Sequence, residues 1–472
     1  MTRAAPVDAV VIGGGPAGSS AARLLAAWGH SVVILDNPPP RSHGLGESIP
    51  PSTRKLLSEV GLLADVENAH FYRSSGNTVW WATAEPRLET FSAAGHAPAP
   101  LGYQVFRPDF DRVLIQGAAS VGADVRTPAR VRSVSFGEHA RVDYEHHGRQ
   151  ATIASRFVLD CSGRSGIVGR RFRRAQPGHR TVALIGVWQS HAWDLPDDTH
   201  TLVETCEDGW GWSVPVSTTT RHVGMMVDRG RNYQAQLAKT THLRRTLAAA
   251  TLQHEWACDA SLYCSEHYAG PKFLLVGDAG SFIDPLSSFG VKKALASAWL
   301  AAIAAHTTLV HPERETIALD FFSNWERDVY TSHLRRSRDF ARAAVTAHPS
   351  AFWTARADTV IAAPDDTGAD LAAGPPRFGA HSDLHLALAD DVCFEARPVI
   401  RGREIVLEEA FAGGLRFAEH VDLVKLADMA CRHRHVADLF DAYCRTCPPV
   451  PLPNLVSGLS MLVAKGILHD RS

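Results

Sequence analysis

Val10-Val11-Ile12-Gly13-Gly14-Gly15-Pro16-Ala17-Gly18, an apolar run broken by a glycine-rich turn, decides how this 472-residue chain begins to fold. The pattern over residues 7–36 predicts strand, turn, helix and strand, a single βαβ unit. Gly13, Gly15 and Gly18 supply a GxGxxG spacing. The first glycine allows the tight turn, the second lets a pyrophosphate approach the backbone, and the third lets helix and strand pack closely. The start of the helix then aims free N–H groups at phosphate. Asp36 ends the second strand 18 residues beyond Gly18, where a carboxylate accepts from a ribose hydroxyl. With strand before, helix after and acid at that distance, the segment reads as a dinucleotide cradle.

Outward from this unit, residues 37–53 are rich in Pro and Gly and predict an extended loop. A helix is expected over Asp109–Val121, ended by Gly122 and followed by a short strand. Alternation over residues 128–160 predicts a small antiparallel sheet closing on Phe157-Val158-Leu159-Asp160. Residues 180–275 are strand-rich, and 273–310 return to strand, turn and long helix. Beyond 311 the pattern is helical, apart from a polar segment from Ala363 to Pro376. The expected fold class is α/β. A Rossmann-like nucleotide domain would comprise residues 1–180 with 265–310, and a β-rich substrate domain 181–264. Residues 311–472 would form a helical C-terminal region covering the site.

Forty-eight basic and 50 acidic residues leave a net charge of −2, which gives no reason to expect a nucleic-acid partner or an anionic membrane. The N-terminus enters a strand without the features of a secretory signal. No apolar run reaches the roughly 18 residues that cross a bilayer. Ala294–Leu309, interrupted by His306, reads as a buried helix. A cytoplasmic enzyme is the expectation. Cys444 and Cys447, with Cys431, His433 and His435 upstream, have the residue types of a zinc site. A lone CxxC in a basic stretch favours no metal.

Three further segments carry a family resemblance. Leu275-Val276-Gly277-Asp278-Ala279 resembles the GD motif of FAD-dependent hydroxylases, whose Asp binds the ribityl or ribose part of FAD. Asp160-Cys161-Ser162-Gly163 resembles the DG-type motif of the same clan, and Arg107 with Asp111 its arginine helix. The resemblance implies FAD as cofactor and the p-hydroxybenzoate hydroxylase type of fold. Trp210-Gly211-Trp212-Ser213-Val214-Pro215 is similar to the WxWxIP signature of flavin-dependent halogenases. Phe282-Ile283-Asp284-Pro285-Leu286-Ser287-Ser288-Phe289-Gly290 is similar to their FxxPxxSxG, and Gly46-Glu47-Ser48 to their GES/GEA loop. By this resemblance, Glu47, Ser48, Arg107, Asp160, Gly163, Gly277, Asp278, Pro285, Ser288 and Gly290 join the first glycines and Asp36 around FAD. Trp210 and Trp212, on one face of a strand, wall the substrate pocket with Phe289. Glu47 is the candidate acid or base, as a carboxylate beside an apolar ring would have a raised pKa. Lys292 or its neighbour Lys293, at the opening of the long helix, is the candidate for stabilising charge on the flavin, with Lys292 preferred.

The halogenase resemblance stops at FAD binding: Ser287 stands where tryptophan halogenases place a Glu, Phe289 would crowd the loop that receives halide, and the essential lysine is missing. Those enzymes use a lysine in a segment of the form FxRKxGAxxxWG. The corresponding stretch here is Phe71-Tyr72-Arg73-Ser74-Ser75-Gly76-Asn77-Thr78-Val79-Trp80-Trp81, with serine at the lysine position. What remains is aromatic hydroxylation through a flavin C4a-hydroperoxide, with the ring held within about 3–3.5 Å of the reactive oxygen. A subgroup that also lacks the lysine hydroxylates a tryptophan of a partner polypeptide in tryptophylquinone cofactor biogenesis. The chain resembles it in its Ser-Phe-Gly-Val-Lys-Lys segment. A halogenase and a non-catalytic FAD-binding scaffold stand as alternatives. With one dinucleotide fingerprint, electrons are expected from a separate flavin reductase or from transiently bound NAD(P)H.

Overall fold

Ala9, Val10 and Val11 are wholly buried, as befits the central strand of a parallel sheet covered on both faces. In the computed structural model, which describes residues 5–91, 100–287, 289–361, 378–379, 382–412 and 414–470, this strand is Val7–Ile12. It pairs in parallel with Val32–Leu35 on one side and Arg149–Asp160 on the other. Asp124–Arg126 and Phe273–Leu275 continue the sheet outward. Helix Pro16–Ala27 packs on helices Arg107–Ala119 and Gly290–Val310. Its first residue is proline, whose missing N–H costs nothing there. Three strands of this sheet run at their carboxyl ends into turns, at Gly13–Gly15, Cys161–Ser165 and Val276–Ala279. Such ends are where open α/β sheets hold ligands.

The second sheet has seven strands, in the order Thr251–Asp259, Thr181–Gln189, Thr220–Asp228, Gly209–Pro215, Thr201–Cys206, Gly76–Trp80 and Arg87–Thr90. The last two come from the first 180 residues, so the β-rich domain draws on more than 181–264. Gly224 lets the Trp212 ring lie directly on its neighbouring strand: a Cβ there would sit 2.2 Å from the indole. Residues 37–53 are not all loop. Gly46–Ile49 is a strand that pairs antiparallel with Gly102–Phe106.

The chain divides into two units, Met1–Ile361 and Ala362–Ser472, so the boundary expected at 311 moves to 361. Helices Glu315–Val345 and Ala351–Ala357 belong to the first unit. They pack against the seven-stranded sheet through Ala341, Ala344, Phe352 and Trp353, and the Trp353 indole donates to Cys206 O at 2.9 Å. The second unit has its own core, with Leu423, Leu426, Leu439, Leu455 and Leu459 fully buried. It is not wholly helical. Phe394–Arg401 and Glu404–Phe411 form a hairpin, and Leu386–Leu388 pairs with Leu468–Asp470. The polar segment Ala363–Pro376 lies outside the described residues. Helix Gly290–Val310 is 21 residues long and, by length and composition alone, apolar enough to cross a membrane. In the first unit it is largely buried core.

Candidate active site

The glycine turn is built as its spacing predicts. Gly13 has φ +102°, and a Cβ there would meet Cys161 O at 2.6 Å; at Gly18 it would meet Gly13 O at 1.9 Å. Gly13 N–H donates to Leu35 O at 2.8 Å, and Gly14 N–H donates to Asp36 Oδ1 at 2.8 Å, which ties the acid to the turn. Burial raises the pKa of Asp36, opposed by the N–H groups of Gly14 and Asn37. Gly15 differs from its neighbours: a Cβ would find only Arg107 and Asp111 atoms, at 3.9 Å. Its bareness serves open space rather than protein packing.

That space is a cavity of about 900 Å³. Gly13–Ala17, Asp36, Leu45–Ser48, Arg107, Asp111, Gly163 and Asp278 line one part, with Pro285, Gly290 and Val291 beside them. Ile185, Trp210, Trp212, Val214 and Met226 of the seven-stranded sheet wall the other. The two tryptophan rings lie 5.3 Å apart, centre to centre. Two helices, Pro16–Ala27 and Gly290–Val310, open their N-termini on the cavity, a field that favours anionic groups.

Arg107 stands at the junction. It donates to Glu47 Oε2 at 2.8 Å and to both Asp111 oxygens at 3.0 and 3.1 Å. The strand register sets this up, because Gly46 pairs with Phe106 and Glu47 with Val105. Burial works against the Arg107 charge, but the facing Asp111 and Glu47 carboxylates outweigh it and hold the guanidinium ionised above the usual range. Glu47 is thus held by a guanidinium at the cavity wall, which gives this carboxylate a binding role there. Gly290 closes on it: a Cβ there would lie 3.4 Å from Glu47 Oε1.

Several expected residues sit elsewhere. Asp160 is wholly buried and spends its oxygens on its own loop, accepting from Ser162 N and Oγ, Val168 N and Gly169 N. It shapes the turn that brings Gly163 to the cavity without reaching the cavity itself. Gly277 likewise sits just behind the lining, with φ +62°. Lys292 points to Ser52 Oγ at 3.2 Å and over the Phe289 ring. Phe289 packs by His333 and Arg336, outside the cavity lining. Ser288 lies outside the described residues. Ser48 lines the cavity. His433 and His435 turn to Met429 O and Asp383. Among the described residues no group of three His, Cys, Asp or Glu is placed to hold a metal.

His222 went unnoticed in the sequence. Its Nδ1 accepts from Gly46 N–H at 3.1 Å, which anchors the Glu47 strand to the seven-stranded sheet. Burial, helped by nearby His254, pushes its pKa down to about 4. A depressed folded-state value means its contribution is whole above the unfolded value near 6.5 and is lost as pH falls through about 4. Urea titrations of wild type and His222→Asn should therefore converge as pH drops over that window. The wild type should lose up to roughly 3 kcal/mol that the non-titrating variant keeps. Identical pH slopes would exclude the role.

Donors, helix ends and small residues at one end, with apolar and aromatic walls at the other, fit a molecule carrying a pyrophosphate chain and a flat ring. This combination of fold and site defines an FAD-binding flavoprotein with the p-hydroxybenzoate hydroxylase type of architecture. The chain belongs to the FAD binding domain family, which matches residues 6–304, and to the flavin-dependent halogenase and monooxygenase clan, as its likeness to the chondrochloren halogenase CndH shows (30% identity, TM-score 0.69, 77% of this chain and 87% of that one). It is similar to the flavin-dependent halogenase armH4 of Armillaria mellea, 29% identical over 372 residues that cover 69% of this chain and 70% of the relative. The fold is shared with CmlS, a flavin-dependent halogenase (TM-score 0.78, 22% identity, 99% of this chain and 97% of that one). It is shared too with QhpG, a peptidyl tryptophan dihydroxylase essential for tryptophylquinone cofactor biogenesis (TM-score 0.69, 21% identity, 98% and 100%).

Proposed function

We propose that this flavoprotein is a monooxygenase that hydroxylates an electron-rich aromatic ring, with the tryptophan side chain of a partner polypeptide as its foremost substrate. The observation that carries the reading is Ser74, which stands where the related halogenases have their lysine. Its side chain is buried, and its hydroxyl donates to Gly76 O at 3.0 Å. Among the described residues no lysine lines the cavity. The arginines there do not replace one, because a guanidinium stays protonated and delocalised and so forms no N–halogen adduct. The name borne by QhpG supports the choice of substrate.

FAD, once bound and reduced by electrons from a separate flavin reductase or NAD(P)H, supplies the oxygen chemistry. The chain supplies binding and order. Arg107, held between Glu47 and Asp111, presents a fixed positive charge beside the glycine turn. Asp36 and Asp278 offer acceptors for sugar and chain hydroxyls. Trp210, Trp212 and Met226 give a flat ring an apolar wall and keep water from it.

Halogenation is the second reading, favoured by curated relatives such as armH4. Mass spectrometry of products separates the two. A tryptophan-containing peptide, free tryptophan and simple phenols would be incubated with reduced FAD, with and without bromide. The expected product gains oxygen in both conditions and no bromine. A brominated product that appears only with the halide would move the assignment to the second reading.

A further inference from the structure

Behind the Gly277–Asp278 turn the protein encloses a full positive charge that the cavity never touches. Lys293, in the first turn of helix Gly290–Val310, has a side chain with no solvent exposure. Its ammonium donates to Gly277 O at 3.0 Å and to Ser281 O, and lies 3.5 Å from Asp278 Oδ1. All three contacts fall on a single short turn. The N–H of the same glycine is held as well: Gly277 N–H donates to Ser297 Oγ at 2.8 Å, and Ser297 Oγ donates to Glu326 Oε1. Glu326 is wholly buried, and its other carboxylate oxygen has no hydrogen-bond partner among the described residues.

Gly277 is thus gripped at both its N–H and its carbonyl, in a left-handed conformation that must be held to persist. Burying an ammonium and a carboxylate costs several kcal/mol that close pairing only partly returns, and apolar side chains of similar volume would fill the space at lower cost. The arrangement is accounted for by what it aligns. Asp278 is 29% exposed and lines the cavity, while its inner side meets the ammonium.

We propose that Lys293 is a positioning residue for the cofactor: from the carbonyl side, while Ser297 and Glu326 hold the Gly277 N–H, it sets the Gly277–Asp278 turn so that Asp278 receives the hydroxyls of the FAD chain. The inference concerns binding alone. It stands or falls separately from whether the ring product carries oxygen or halogen.

The test is a double-mutant cycle read as FAD affinity of the full-length apoprotein, by quenching of flavin fluorescence. Lys293→Met and Asp278→Asn are each expected to weaken FAD binding by about 10-fold or more. Because the lysine acts through the aspartate, the double variant should bind no more weakly than the weaker single variant. Effects that multiply would overturn the proposal. Lys293→Met leaves Glu326 buried without its cation, so folding is guarded by Lys293→Met/Glu326→Leu, which removes both charges. That variant is expected to recover a cooperative thermal transition while keeping the weakened FAD binding. If it folds and binds FAD as tightly as wild type, Lys293 is only a filler of the core and the proposal fails.

Discussion

Arg107→Leu is expected to purify without the yellow of bound flavin and to bind added FAD at least ~100-fold more weakly. The guanidinium joins the strand that carries Glu47 to the helix that carries Asp111, and it faces Gly15 across the opening of the glycine turn. Leucine leaves two carboxylates facing each other without the cation between them. Breaking a sealed ion pair costs about 3–5 kcal/mol. Here the three side chains keep between 22% and 30% exposure to the cavity, so a loss of roughly 2–3 kcal/mol is expected in urea unfolding. Arg107→Lys restores the charge without the fork and should fall between the two proteins. Wild-type FAD affinity in the leucine variant would remove Arg107 from the site.

Gly18→Ala places a methyl in the closest clash found at any glycine among the described residues. Its Cβ would stand 1.9 Å from the carbonyl oxygen of Gly13, a backbone atom fixed between the first strand and the first helix. Either the helix lifts off the turn or the turn opens, and overpacking of this kind costs about 1–3 kcal/mol or more. Loss of FAD binding together with a fall of several degrees in the thermal midpoint, about 2–4 °C per kcal/mol for domains of this size, is the expected result. Gly15→Ala provides the contrast. Its nearest neighbours would be at 3.9 Å, so the fold should survive, while the methyl occupies space the pyrophosphate needs. A Gly15→Ala protein that binds FAD normally would show that the phosphate lies elsewhere.

Much of this site was legible in the sequence because its parts are local. The glycines, Asp36 and the helix opened by Arg107-Pro108 depend on spacings of a few residues, and those spacings carry their geometry with them. What was not legible depends on approach through space. Glu47 falls in a stretch rich in Pro and Gly that reads as loop, and only pairing with Gly102–Phe106 makes it a strand and brings Arg107 beside it. Lys292 and Lys293 are adjacent, yet a helix turns neighbouring side chains by about 100°. Packing against helix Glu315–Val345 decides which is enclosed, and it is Lys293. Phe289 follows the same logic and turns to His333 and Arg336. Asp160 belongs to a recognisable motif, but four donors of its own loop claim it before any ligand does. The hairpin of the second unit escaped notice because its strands, half-exposed and interrupted by Pro398, show no clean alternation.

The origin of the oxygen in the product bears most directly on the central claim. Turnover of a tryptophan-containing peptide with reduced FAD would be run under 18O2 in ordinary water, and under ordinary oxygen in H2 18O. Label entering the aromatic ring from the gas and not from water is the result this account requires. A ring that takes its oxygen from water, or carries halogen in place of oxygen, would contradict it.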